Sequence, residues 1–240
     1  VDRSLVTELP PPLPAERILA VNPPRNDLRT TRSYTWNGWD FEVPPGVFLP
    51  GGTSRMIHQR LLDDDIDVRG RRYAAMGVGL GVEAVAAGAR GAGEVHAIDV
   101  HAPSVEATAR NFDRVLDGGT TTRLVPWVSD MFAGLPDDAR FDVVTFNPPA
   151  VSHPTSIDPD VVRNVCVGAS ITATFFTQLR ERPLLAPDAE VYLIASNTAD
   201  LRRVVAHAEG SGFSGEVHHR HDWGDGVLTY LFRFREDERR

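Results

Sequence analysis

From residue 72 onward the apolar positions fall into short runs separated by stretches with helical spacing. The runs predict strands over 72–77, 94–99, 122–127, 141–146, 190–196, 215–222 and 228–234. Between them the spacing predicts helices over 81–89, 102–116, 161–182 and 198–210. Strands alternating with helices imply an α/β fold, a doubly wound and mostly parallel seven-stranded sheet with helices on both faces. The last two strands are joined by Gly224-Asp225-Gly226. They form a terminal antiparallel hairpin. Upstream, residues 33–49 alternate aromatic and polar positions around Asn37-Gly38, a strong hairpin signal. Residues 53–65 carry apolar positions at helical spacing, with Thr53 or Ser54 as the expected N-cap. Residues 1–30 are proline-rich, with PPPLP at 10–14 and NPP at 22–24, and favour extended backbone. They read as an arm on the core or on a partner chain, where a homodimer would form. The expected division is 1–65 (arm, hairpin and helix) and 66–240 (the α/β domain).

A chain of 240 residues suits one such domain with an arm. Every apolar run is strand-length, so no membrane span is expected. The N-terminal stretch VDRSLVTELPPPLP has no apolar core of a signal peptide. The single cysteine, Cys166, permits no internal disulfide and reads as a small apolar residue. Together these point to a cytoplasmic setting. All 25 basic side chains are Arg, which excludes Schiff-base and P-loop lysine chemistry. The net charge is −8, which argues against nucleic acid as a partner. Arg69 to Arg72 (RGRR) is the densest basic patch and reads as a solvated turn. Asp63 to Asp65 reads as a solvated acidic face. His218, His219 and His221 share one strand, where alternate residues face opposite ways, so no metal site is expected.

The first strand of the α/β region ends in Gly77-Val78-Gly79-Leu80-Gly81, ahead of a helix. Glycines there allow a tight turn and let backbone amides approach a ligand. The next strand ends in Asp99, placed to accept hydrogen bonds from ribose hydroxyls. Residues 79–84 also satisfy the dinucleotide pattern G-x-G-x-x-A, so a nicotinamide cofactor stays open at this point.

Two later segments narrow the choice. Ser129-Asp130-Met131-Phe132 follows the third strand, and Phe146-Asn147-Pro148-Pro149 follows the fourth. With PPGVFLPGGTSR at 44–55, this block resembles the class I S-adenosylmethionine-dependent methyltransferases that act on planar nitrogens. Those include the release-factor glutamine, adenine-N6 and cytosine-N4 enzymes. The resemblance covers roughly residues 34–196. It implies S-adenosyl-L-methionine as cofactor, with Gly77, Gly79 and Gly81 along the methionine moiety. Asp99 would hold the ribose, Asp130 the adenine amino group, and Met131 would pack on the ring. Asn147 and Pro148 would meet the acceptor nitrogen, with Asn147 also bordering the cofactor.

Two departures matter. Ala75 stands where an acidic residue usually precedes the glycine turn. Ala150 stands where the signature has an aromatic ring. Phe48, Trp36 or Trp39 from the N-terminal hairpin region could supply a ring, while Pro149 and His153 would border the acceptor. Only about 70 residues precede the glycine turn, too few for the helical substrate domain of the glutamine enzymes. With the acidic charge, this favours N-methylation of a small-molecule acceptor. The alternatives are a protein amide or nucleic-acid base, and a non-catalytic binding protein on the same fold.

Overall fold

Alternation of strands and helices governs the chain from Arg72 to Glu236. The computed structural model describes residues 5–24 and 27–237. In chain order these hold a 3-10 turn (Leu5–Glu8), α1 (Ala15–Val21), β1 (Arg32–Trp36), β2 (Trp39–Val43) and α2 (Gly52–Leu62). Then come β3 (Arg72–Met76), α3 (Val82–Ala89), β4 (Glu94–Asp99), α4 (Ala102–Leu116), β5 (Arg123–Val128) and β6 (Phe141–Phe146). The rest is α5 (Pro159–Val165), α6 (Ser170–Glu181), β7 (Leu185–Ser196), α7 (Leu201–Gly210), β8 (Phe213–Asp222) and β9 (Leu228–Glu236). The main sheet has seven strands in the order β5-β4-β3-β6-β7-β9-β8, beside a two-stranded β1-β2 sheet. Ladders β3-β4, β3-β6 and β4-β5 are parallel, whereas β9 runs antiparallel to β7 and β8. This is the expected doubly wound architecture with its antiparallel terminal strand.

Residues 27–146 with 183–189 form one compact unit. Its central strand β3 is buried on both faces, with Tyr73, Ala74 and Ala75 fully enclosed, as a covered parallel sheet requires. Helix α4 buries Ser104, Val105, Ala107, Thr108, Asn111 and Phe112, a single stripe at helical spacing. Asn37 and Gly38 both have positive φ (53° and 74°), which suits the tight turn between β1 and β2. The hairpin docks on α4 through Asn111. Its Oδ1 accepts the Glu42 N–H at 2.9 Å, and its Nδ2 donates to the carbonyls of Glu42 (2.9 Å) and Leu80 (2.8 Å). Hairpin and α2 thus belong to the same compact unit as the first half of the main sheet.

One local expectation is corrected in this unit and another is refined. Helix α2 begins one residue before Thr53, with Gly51 as N-cap and no side-chain cap, so Thr53 and Ser54 lie inside the helix. The acidic run is partly paired. Asp64 accepts from Arg69 (2.7 Å) and from Arg90, whose guanidinium groups hold its carboxyl down at about 2. Arg71 and Arg72 pair with Asp67 (3.7 Å) and Asp142 (2.8 Å). The RGRR segment therefore carries little uncompensated charge.

The second unit comprises residues 5–24, 147–182 and 190–237. Phe176 is its aromatic centre, with ring centroids 5.1 Å from Phe175, 5.3 Å from Phe213 and 5.1 Å from Phe234. The proline-rich arm is not extended throughout. Leu9 and Ile18 are buried, Ile18 on helix α1. Arg202 on α7 donates to the Leu9 carbonyl (2.8 Å), and the Leu13 N–H to the Asn197 carbonyl (2.8 Å). The helix expected over 161–182 is two helices. Cys166 leaves α5 to bridge Ala150, and Gly168 turns the chain with φ of 91° before α6 starts. Among the described residues no helix is long and apolar enough to cross a membrane, and no cluster of His, Cys, Asp and Glu could hold a metal ion.

Candidate functional site

Parallel pairing sets the site. Met76 on β3 is level with Ile98 on β4, and Asp99 with Val128 on β5. The three strands therefore end together, and their outgoing loops converge at one edge of the sheet, where ligands bind in such folds.

After β3 the glycine turn folds back on that edge. The N–H groups of Gly77 and Val78 donate to the Ile98 carbonyl at 2.8 and 3.2 Å. Gly77, Gly79 and Gly81 all have positive φ (70°, 58° and 90°), a conformation natural to glycine. At Gly81 the space is also closed, because a Cβ there would lie 2.8 Å from Thr108 Cγ2 on α4. Val47 of the upstream PGVF segment lies 4.0 Å from where a Gly79 Cβ would be. The first-turn amides of α3 emerge beside this turn without intrahelical partners.

Asp99 ends β4 and is held at both oxygens. Oδ2 accepts the Gly79 N–H at 3.1 Å and Oδ1 the His101 N–H at 2.9 Å. These two hydrogen bonds fix the carboxylate at the end of β4. Asp130 contrasts with it. Its carboxylate is exposed and makes no hydrogen bond or ion pair with the described residues. Its loop is ordered by Ser129, whose Oγ accepts the Gly134 N–H at 2.8 Å. Met131 is buried and has φ of 49°, a strained value for a side chain of its size. Val100 and Val128 are apolar yet more than half exposed (56% and 57%), one directly after Asp99 and the other its pairing partner. Two exposed valines and an exposed carboxylate thus mark the ends of β4 and β5.

Of the ring candidates, Phe48 follows Val47 and is half-buried. Trp39 sits at the hairpin tip, 5.9 Å from Trp36, which in turn packs 5.3 Å from His58. The carbonyl of its neighbour Asp40 accepts from Arg114 in the last turn of α4, whereas the glycine turn meets the middle of that helix at Thr108 and Asn111.

Asn147 follows directly on Phe146, the last residue of β6. In the second unit the loop after it is closely tied. The Ala150 N–H donates to the Pro148 carbonyl at 2.7 Å, closing a three-residue turn on Pro149. The Gly168 N–H donates to the Pro149 carbonyl at 3.1 Å. Pro148 therefore keeps one lone pair for a further donor. Ala150 is buried against the Cys166 backbone, so a ring has no room at that position. His153 is half-buried in the following loop, where Ser152 is fastened to the Thr198 carbonyl. One residue escaped the sequence reading. Glu83, two positions after Gly81, lies in an otherwise apolar helix and carries no motif.

No protein-family model matches the sequence, and no curated protein matches it. Solved structures do resemble the fold. A ribosomal protein L11 methylase from Lactobacillus delbrueckii subsp. bulgaricus superposes with a TM-score of 0.56 at 18% identity, over 82% of this chain and 84% of that one. The T. thermophilus 16S rRNA N2 G1207 methyltransferase RsmC, solved with AdoMet and guanosine, gives 0.59 at 20% identity. It is covered over 52% of its length by 90% of this chain. The E. cuniculi Mtq2–Trm112 complex, which methylates the termination factor eRF1, gives 0.57 at 16% identity, over 80% of this chain and 99% of that one. The chain has the fold of the S-adenosylmethionine-dependent methyltransferases.

Proposed function

We propose that the chain transfers a methyl group from S-adenosyl-L-methionine to a planar nitrogen of a nucleic-acid base. One observation carries the cofactor assignment. The ends of three successive parallel strands carry a glycine turn, a carboxylate that holds that turn, and an exposed carboxylate that makes no hydrogen bond or ion pair with the described residues. A nicotinamide dinucleotide would use the turn and Asp99 but leaves Asp130 without a role.

When bound, the cofactor supplies a methyl group activated by positive sulfur. The chain's residues position what attacks it. Asp99 accepts the ribose hydroxyls and Asp130 the adenine amino protons. At the acceptor, Asn147 Oδ1 and the remaining lone pair of Pro148 accept the two N–H bonds of an amine. Both acceptors strengthen as positive charge grows on nitrogen. The tied Pro148-Pro149 turn keeps them from reorienting.

The acceptor class rests on the Asn147-Pro148-Pro149 signature and on the neighbours. RsmC acts on the N2 amine of a guanine, a planar exocyclic nitrogen of the kind this loop suits. A small-molecule acceptor is the second reading, favoured by the net charge of −8 and by the pairing of Arg69, Arg71 and Arg72. The test is methyl transfer from labelled S-adenosylmethionine to unmodified ribosomal and transfer RNA, with a ribosomal-protein fraction and a metabolite extract beside them. Label in RNA supports the proposal. Label only in the metabolites transfers support to the second reading. Calorimetry with S-adenosylhomocysteine, and NADH as control, tests the cofactor separately.

A further inference from the structure

Glu83 lies in the first turn of α3. Its Oε2 accepts from Tyr73 Oη on β3 at 3.0 Å and from Thr145 Oγ1 on β6. The two hydroxyl oxygens are themselves 2.6 Å apart. Thr145 is the cross-strand partner of Ala75, and Tyr73 is two residues before Ala75 on the same face. The Glu83 carboxyl therefore lies above the Ala75 methyl group, and the strand enters the glycine turn at Gly77 roughly 7 Å further on. Among the described residues Oε1 accepts no hydrogen bond, and Glu83 is partly exposed.

Counting protons gives this cluster its meaning. Three short oxygen–oxygen contacts close a triangle. Tyr73 and Thr145 bring one proton each, enough for two of the three contacts. All three are filled when the carboxyl brings a third proton, so that Oε2 donates to one hydroxyl, that hydroxyl donates to the other, and the second donates back to Oε2. Burial pushes the Glu83 carboxyl up, and the hydroxyls of Thr145 and Tyr73 oppose that shift. These are the groups that bear on it. No Arg, His, Asp or second Glu from α2, β4 or α4 contributes. Tyr73 is itself held protonated by burial and by Glu83.

The geometry assigns Glu83 as the group that receives the ammonium end of the bound cofactor, holding a proton in the free protein and releasing it to solvent on binding. This rests on the cofactor assignment above. The carboxylic acid becomes a carboxylate paired with the ligand cation, and the proton passes to the buffer. Glu83 is then a positioning residue whose charge appears only when the cation arrives.

The test is calorimetry of the full chain with S-adenosylhomocysteine between pH 5 and 8, in pairs of buffers with different ionisation enthalpies. The expected result is release of up to one proton, with affinity rising by as much as about tenfold per pH unit through the window of release. Adenosine, which lacks the amino-acid end, should bind without that release. Glu83→Gln should keep the fold, abolish the release and flatten the pH profile. Thr145→Val removes a hydroxyl that lowers the carboxyl's pKa, so it should move the window to higher pH. Proton release equal in the native chain and Glu83→Gln, or equal for adenosine and S-adenosylhomocysteine, would overturn the inference. A native chain that binds neither ligand at any pH would overturn the cofactor assignment itself.

Discussion

Replacing Gly81 with alanine tests whether the glycine turn is fixed by packing as well as by backbone shape. The residue has φ of 90°, and a left-handed conformation costs a side-chain-bearing residue about 1–2 kcal/mol. Its new Cβ would sit 2.8 Å from Thr108 Cγ2, 2.9 Å from Oγ1 and 3.0 Å from Cα. The first two atoms belong to a stiff, β-branched side chain and the third to the α4 backbone, so relief requires a helix shift. Overpacking of this kind adds about 1–3 kcal/mol. The total is about 2–5 kcal/mol, or roughly 4–20 °C in melting temperature for a chain of this size. Urea unfolding of four proteins measures it: native, Gly81→Ala, Thr108→Ala and the double variant. Thr108→Ala clears two of the three contacts, so the double variant should be more stable than the sum of the single losses predicts, by about 1 kcal/mol. Gly210→Ala at the end of α7 is the control, since its φ is not positive and nothing lies within 4 Å of the new methyl group. A Gly81→Ala protein within about 0.5 kcal/mol of native, or strict additivity with Thr108→Ala, refutes the packing argument.

Asp130→Ala should weaken S-adenosylhomocysteine binding by about five- to tenfold while leaving unfolding unchanged within about 0.5 kcal/mol, because its carboxylate makes no contact within the described chain. Parallel calorimetry and urea melts check both halves. Asn111→Ala should cost about 2–3 kcal/mol and make the β1-β2 hairpin sensitive to limited proteolysis, since it removes four hydrogen bonds. Burial, reinforced by nearby Arg55, holds His58 neutral with its pKa pushed down to about 3. In the unfolded chain the same group titrates near 6.5, so between those values the unfolded state binds the extra proton. Stability therefore falls as pH drops below about 6.5, by up to about 1.4 kcal/mol per unit for this histidine. His58→Phe keeps a ring against Trp36 and should reduce that slope between about pH 6.5 and 5. Buried His96 is shifted in the same direction and leaves a residual slope. An identical slope in the variant would count against the assignment.

Much of the α/β layout is legible because it is written in periodicity. Strands β4 and β6 and helix α4 lie at their expected bounds, since each is an uninterrupted run of one period ended by a polar or glycine signal. The arm misleads because its prolines outweigh AERILAV, a seven-residue helix whose Ile18 finds a partner only in tertiary contact. The long helix over 161–182 fails for a related reason. Its break depends on Cys166 pairing with Ala150, sixteen residues away, and on the positive φ of Gly168. At the site, the glycines, Asp99 and Asp130 can be named from motif order. Glu83 cannot, because only the register of β3 against β6 places Tyr73, Ala75 and Thr145 beneath one helix turn.

The Asn111 side chain also bears on solubility. A two-stranded ribbon exposes a row of backbone donors and acceptors along each edge, and such edges recruit other chains. By accepting the Glu42 N–H and donating to the Glu42 carbonyl, the Asn111 amide imitates a neighbouring strand and closes the middle of the β2 edge. Any folding intermediate in which α4 has not yet reached the hairpin presents that edge unprotected. Aggregation during refolding should accordingly depend on how early α4 docks, even where the finished fold tolerates change at this position.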